Sequence, residues 1–281
     1  MAKVAWLGTG LLGSGFVEAM CKRGESVTVW NRSIDKARAL EVHGAVVASS
    51  PADAVRGAER VHLCLSDDAA VEAVLGAIGV LDRGTVILDH TTVSPAGARD
   101  RSERLAREGR VLLGCPVFMG PANARAASGI MLCAGPAASV EAMRPVLSAM
   151  TGKLLVYGED LGVPAAIKLF GNAMIIGITG VLSDAMSVVS ESGVPAADAM
   201  QVLSFFDVGN VVKARGAKIL EGDLRASFEL TMARKDVRLM LEAAGDRPLA
   251  ALPAVAARMD ALIAEGHGQA DLAVLGKNAV R

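Results

Sequence analysis

The chain has 281 residues, 52% of them hydrophobic and 3% aromatic, and its 29 Lys+Arg nearly cancel 30 Asp+Glu, leaving a net charge of −1. That length allows one large domain or two of moderate size with substantial cores. The charge balance excludes a broad polyanion-binding surface, so neither nucleic acid nor an acidic membrane is an expected partner, and any phosphate must be met locally.

From the N-terminus, Lys3 precedes a glycine-interrupted apolar stretch without a convincing cleavage site, so no signal peptide is expected. Cys21, Cys64, Cys115 and Cys133 are scattered without CxxC pairing and read as thiols of a reducing compartment, which predicts a cytoplasmic protein without a metal centre. Residues 1–135 alternate short apolar runs with amphipathic or turn-rich segments. "KVAWLG", "SVTVWN", "AVVAS", "RVHLCLS", "TVILDH" and "RVLLG" read as strands of a doubly wound parallel sheet. "GIMLCAG" and "KLLVYG" predict two more strands around a helix near 137–150. After residue 162 the periods are helical, with breaks near 192–198, 208–210, 221–227 and 245–253. The expected fold is therefore α/β: a Rossmann doubly wound parallel sheet over residues 1–160, then an all-α domain over 161–281, joined by a long shared helix. Its apolar stretch 161–183 contains Pro164, Lys168 and Asn172 and lacks aromatic belts. It is expected to be a buried helix rather than a membrane span.

The first strand runs into "GTGLLGSG", in which Gly8, Gly10 and Gly13 form GxGxxG at the opening of a helix, with Leu11 and Leu12 in the same turn. The three glycines allow a tight turn, a close approach to pyrophosphate and close helix–strand packing, and the helix start offers N–H groups to phosphate. At the end of the second strand an acid would hold a ribose 2′-hydroxyl, whereas an arginine accommodates a 2′-phosphate. Here Asn31, Arg32 and Ser33 follow, with Lys36 nearby and no carboxylate before Asp35. NADP(H) is expected over NAD(H); the alternative is that these are solvated charges and that Ser33 is only an N-cap. Leu65, Ser66, Thr91 and Thr92 fall at later strand ends, where open α/β sheets meet their ligands, while Ser94-Pro95 reads as a helix cap.

From Leu161 to Ser183, Lys168 is the only charged residue, and Asn172 lies one turn on along the same face. A desolvated lysine beside a nicotinamide can exchange a proton with the oxygen of a carbonyl or alcohol, with Asn172 holding substrate or orienting the amine. By spacing alone, a lysine paired with a carboxylate or snorkelling at a helix end stands equally well.

With these residues assembled, the sequence resembles the β-hydroxyacid dehydrogenase family, through "GTGLLGSG", "NRS", "HTTVSP", the "CPV" loop at 115–117, "GVPAAIKLFGNAM" and "FELTMARKD" at 228–236. The resemblance covers almost the whole chain. It implies a Rossmann domain, a long interdomain helix, a helical C-terminal domain, and assembly as a homodimer or homotetramer. It puts the catalytic lysine at Lys168, the substrate-side asparagine at Asn172, the nicotinamide-ribose threonine at Thr92 and a late cofactor-cleft lysine at Lys235, beside Asp236. The family usually has Ser-Gly-Gly after "PV", a carboxylate-binding loop, whereas this chain has Phe118, Met119 and Gly120. Two bulky apolar side chains are expected to narrow the pocket, with Gly120 and Asn123 offering the remaining polar contacts. Pro164 replaces a second glycine near the helix start, where proline is tolerated. The expected function is interconversion of a small aldehyde or keto acid with its hydroxy acid. Imine reduction and a non-catalytic NADP(H)-sensing scaffold are the competing readings.

Overall fold

The computed structural model describes residues 3–280. Among the described residues there are nine strands: β1 (Lys3–Leu7), β2 (Ser26–Trp30), β3 (Val46–Val47), β4 (Arg60–Leu63), β5 (Val86–Asp89), β6 (Val111–Gly114), β7 (Val117–Phe118), β8 (Ile130–Cys133) and β9 (Lys153–Val156). The helices are α1 (Leu11–Lys22), α2 (Ile34–Arg38), α3 (Pro51–Val55), α4 (Asp68–Ala77), α5 (Pro95–Arg107), α6 (Pro121–Arg125), α7 (Ala137–Ser148), α8 (Gly162–Glu191), α9 (Ala196–Met200), α10 (Val208–Glu221), α11 (Leu230–Ala244) and α12 (Leu252–Leu262). The chain divides into two compact units, Met1–Asn172 and Ala173–Arg281, and the division falls inside α8.

In the first unit six parallel strands take the order β3-β2-β1-β4-β5-β6. The order reverses between β1 and β4, which opens a ligand crevice at the carboxyl ends of the strands. The strands read as continuous apolar runs because both faces are covered: Val4 and Trp6 join one core with Phe16 and Met20, while Ala5 and Leu7 join the other with Val61 and Leu75. Side-chain caps fix where helices begin. Asp67 accepts from Ala70 N at 2.8 Å to start α4, and Ser94 accepts from Gly97 N at 3.1 Å, with Pro95 opening α5.

β7, β8 and β9 form a second sheet. β7 pairs antiparallel with β8, and its two residues carry too short a period for sequence reading to have found.

The second unit is helical and packs Leu230, Val237, Met259, Leu262 and Val274 into its own core. Asp184 on α8 accepts from the N–H groups of Ala250, Ala251 and Leu252 at 2.7, 2.8 and 2.8 Å, which satisfies the opening of α12. Burial works against its charge, but those three donors outweigh it and hold the carboxyl below the usual range.

The expectation that stretch 161–183 is buried needs correction. Phe170 is 69% and Ile176 71% exposed, and Ile175, Ile178 and Val181 are also open. The most apolar 18-residue window of α8 has a mean hydropathy of 1.7 with 6% of it buried, so by length and composition alone the helix is capable of crossing a membrane. Composition reports that a face is apolar; it does not say that the same chain covers it.

Beneath the sheet a buried hydrogen-bonded chain carries its own proton assignment. Arg60, ion-paired with Glu25, donates Nε–H to His62 Nε2 at 3.1 Å. The His62 proton therefore sits on Nδ1 and is donated to His90 Nε2 at 2.9 Å; the His90 proton sits on Nδ1 and is donated to the Cys115 carbonyl at 2.9 Å. Both rings are neutral. Burial pushes His90 down to about 4. Burial, then the neighbouring His90 and Arg60, push His62 well below its ordinary value.

An imidazole that refuses a proton in the folded state contributes stability that is complete above about pH 6.5 and lost as pH falls from there toward 4. By pH 5 this amounts to about 2 kcal/mol for His90, at about 1.4 kcal/mol per pH unit. Asp89 opposes it, since burial raises its carboxyl to about 6 and the folded state gains about 1.4 kcal/mol by pH 5. His62 acts with His90, so the histidines prevail. Urea unfolding is expected to give a lower stability at pH 5.0 than at pH 7.5, by more than the roughly 0.6 kcal/mol that His90 leaves over Asp89; equal values would rule out the neutral pair.

Candidate active site

The glycine turn lies where β1 meets α1. Gly8 has a φ of +104°, and a Cβ there would meet the Cys64 carbonyl oxygen at 2.2 Å. A Cβ on Gly13 would meet the Gly8 carbonyl oxygen at 2.1 Å, so α1 packs on the turn at a distance only glycine permits. Gly10 differs: nothing lies within 4 Å of a Cβ there, and its backbone borders open space. The turn is fastened by Trp6 Nε1 donating to Gly8 O at 2.9 Å, Ser14 Oγ donating to Thr9 O at 3.1 Å and Gly8 N donating to Trp30 O at 2.9 Å. Asn31 ties it to β2, accepting from Thr9 N at 3.1 Å and donating to Ser33 O at 3.0 Å.

A groove of about 470 Å³ opens over this turn. It brings together Gly8, Gly10, Leu11, Leu12, Gly13, Asn31, Arg32, Ser33, Lys36, Leu65 and Ser66. Sequence reading missed Trp30, Cys64, Ala70, Ala73 and Val74, the last three an apolar shelf on α4 that the i, i+3, i+4 spacing signals. Cys64 is an inert part of that wall, because burial pushes its thiol up to about 12.

The groove fits a dinucleotide phosphate. No side chain caps the start of α1 and its first turn holds no acid, which leaves positive N–H groups toward the open space beside Gly10. Thr9 Oγ1 is buried without a hydrogen-bond partner among the described residues. Arg32, Ser33 and Lys36 are exposed at the rim, and the nearby acid Asp35 lies 3.8 Å from Arg38. Ser33 occupies the N-cap position of α2 without a capping bond from its side chain, so its hydroxyl is free for another acceptor or donor.

Thr91 and Thr92 part company. Thr91 is buried, accepting from Leu65 N at 3.1 Å and donating its own N–H to Asp89 at 2.9 Å; it braces the Leu65 loop and leaves Thr92, half-buried, as the more open of the two. The Asp89 carboxyl lies beneath them, raised to about 6 by burial despite the Thr91 bonds.

On α8, Lys168 Nζ stands 4.4 Å above the centroid of the Phe118 ring. The lysine is half-buried, has no carboxylate partner among the described residues, and is lowered in pKa by burial. Asn172 is half-buried on the same helix. The loop after β7 departs from expectation at Met119, Gly120 and Asn123. Val117 and Met119 join the core and only Phe118 turns toward α8, because side chains alternate along a strand. Met119 lies over Gly129, where a Cβ would meet its Cγ at 2.9 Å. Gly120 donates its N–H to Asn123 Oδ1 at 3.0 Å, and Asn123 donates to Ser128 Oγ at 3.1 Å, so these two groups satisfy each other. Lys235 lies in the second unit, exposed on α11, 2.9 Å from Asp236.

A doubly wound sheet with this glycine turn and phosphate rim defines a nucleotide-binding dehydrogenase domain. Residues 3–158 match the family model described as the NAD binding domain of 6-phosphogluconate dehydrogenase. The chain is similar to glyoxylate/succinic semialdehyde reductase 1 of Arabidopsis thaliana, 29% identical over 92% of this chain and 91% of that protein. It is 28% identical to 3-sulfolactaldehyde reductase of Escherichia coli, over 87% of this chain and 84% of that protein. The solved imine reductase of Streptomyces aurantiacus superposes with a TM-score of 0.89 at 25% identity, over 99% of this chain and 100% of that one. The chain belongs to the β-hydroxyacid dehydrogenase family of NAD(P)-binding oxidoreductases.

Proposed function

We propose that the protein is an NADP(H)-dependent reductase of a small aldehyde or keto acid, interconverting it with the hydroxy compound, and that Lys168 is the general acid/base. The observation that carries this reading is the Lys168 amine: half-buried, unpaired with any carboxylate among the described residues, and above an aromatic face. The nicotinamide, when bound, supplies or accepts the hydride. The protein's part is to position and to move a proton. In the reductive direction the Lys168 ammonium donates to the carbonyl oxygen as negative charge develops there, and Asn172, one turn on, orients substrate or amine. Gly8, Gly10, Leu11, Leu12 and Gly13 would receive the pyrophosphate, Arg32, Ser33 and Lys36 the 2′-phosphate, and Leu65, Ser66 and Thr92 the nicotinamide half. Lys235 is assigned to the cofactor cleft by the family resemblance alone.

Imine reduction stands as the second reading, favoured by the aromatic wall of Phe118 and by the likeness to the Streptomyces enzyme. Retention of lysine at position 168 favours a carbonyl, whose oxygen requires the proton. The four free cysteines support a reducing, cytoplasmic setting.

Lys168→Ala is expected to lower turnover at least about a hundredfold while NADPH affinity stays within about twofold, as measured by stopped-flow and fluorescence titration. Because reduction needs the protonated amine, wild-type reduction should fall as pH rises through a pKa below that of a free lysine, whereas alcohol oxidation should rise. Unchanged turnover in the variant would remove Lys168 from the mechanism.

Arg32→Asp should shift the kcat/KM ratio from NADPH toward NADH by about tenfold or more, since it replaces a 2′-phosphate partner by a 2′-hydroxyl acceptor. A ratio that does not move would assign the 2′-phosphate to other groups.

The open apolar stripe of α8 supports a homodimer or larger homo-oligomer in which a second copy covers Phe170, Ile175, Ile176 and Ile178. Light scattering at micromolar concentration should return a multiple of the 28.9 kDa chain mass, and Ile176→Glu should reduce it. A monomeric wild type would overturn the assembly.

A further inference from the structure

The Phe118 ring lies against the backbone of α8 at Gly171, where an added Cβ would meet ring atoms Cε1 and Cζ at 2.3 and 2.4 Å. Gly171 is one helical turn from Lys168, so the space its missing side chain leaves is what seats the ring beneath the amine at 4.4 Å. The ring is the one side chain of the β7 loop that faces this way, since Val117 and Met119 are committed to the core. The loop has little to offer an anion. Phe118 pairs with Ile130 in the sheet, the Gly120 N–H is engaged with Asn123 Oδ1, and the Asn123 amide already gives one N–H to Ser128 Oγ. A substrate carboxylate placed there would find little on the β7 loop to pair with and would compete with the reacting oxygen for the Lys168 ammonium, which is costly, whereas an alkyl substituent would gain by burial.

We infer that Phe118, seated by Gly171, is a specificity-determining residue that selects an uncharged aldehyde or ketone, packing its alkyl substituent on the ring beside Lys168, over a carboxylate-bearing analogue. This inference rests on the reductase reading and narrows it from aldehydes and keto acids together to uncharged carbonyl compounds.

The test compares butanal with succinic semialdehyde, which share four carbons and differ by the carboxylate. Wild-type kcat/KM with NADPH should favour butanal at least tenfold. Phe118→Ser, and Gly171→Ala by displacing the ring, should each erase most of that preference through KM, while Phe118→Leu, which keeps an apolar wall, should retain it. Circular dichroism checks that each variant folds. Ligand-observed NMR on the NADPH-loaded protein, which has no hydride acceptor for an alcohol, reads the same preference without turnover, as butan-1-ol against 4-hydroxybutanoate. A wild type that prefers the carboxylate compounds, or a preference that survives in both Phe118→Ser and Gly171→Ala, overturns the inference and leaves the reductase reading intact. No turnover on any carbonyl, together with butanol binding that is lost in Phe118→Ser, overturns the reductase reading and leaves this selectivity standing.

Discussion

Both ends of the site are held by one buried stack. Trp6 donates its indole N–H to the Gly8 carbonyl, fixing the glycine turn from below, and the same indole stacks on His62 and His90 at 4.9 and 5.5 Å. His90 then donates to the Cys115 carbonyl, three residues before Phe118. The loop that faces Lys168 and the turn that faces phosphate are thus fastened to a single set of neutral rings. A charged histidine there would lose its acceptor nitrogen and leave Arg60 or the His62 donor without a partner in a dry interior, where an unmade hydrogen bond costs about 1–3 kcal/mol. The stack works because every member is satisfied in one order of protons, running from Arg60 to the Cys115 carbonyl.

The parts of this arrangement that sequence reading captured are those with a local signature. Parallel strands buried on both faces announce themselves as unbroken apolar runs, and the glycine turn declares itself because its spacing follows a strand and opens a helix. Lys168 and Asn172 stood out in the sequence as polar residues in a long apolar run expected to meet something polar, yet the neighbour the structure gives the amine is the Phe118 ring. What escaped depends on pairings between distant segments. β7 exists only through its ladder with β8, and that pairing decides that Phe118 faces α8 while Met119 faces the core. Thr91 and Thr92 look alike in sequence, yet one contact to Leu65 N, 26 residues away, turns the first into a brace. His62 carried no motif and His90 entered only as the first residue of "HTTVSP"; as a pair they gain meaning only from adjacent strands.

α8 shows how composition and burial separate. Its first turn, with Leu161 just before it, holds Ala165 in the core of the first unit, and its later turns carry Asp184, whose carboxylate satisfies the opening of α12. Between and around these anchors lie Phe170, Ile175, Ile176 and Ile178, open to solvent in the single chain. An apolar face of this kind favours being covered, because each large side chain covered gains about 1.5–3 kcal/mol. One helix thus carries a lone half-buried cation near one end and an open apolar stripe along much of the rest.

At Lys168 two effects oppose each other. The Phe118 face attracts the ammonium, a contribution of about 0.5–1 kcal/mol where water still has access, while partial burial removes hydration from the charged form. Burial prevails, and the amine titrates below a free lysine. A carboxylate partner would have reversed this outcome, raising the pKa and holding the proton against transfer. An aromatic partner does neither: it orients the charge without neutralising it and presents no competing acceptor for the proton. That choice of neighbour keeps the amine aimed and able to give its proton up, which is what the general-acid role proposed for it requires.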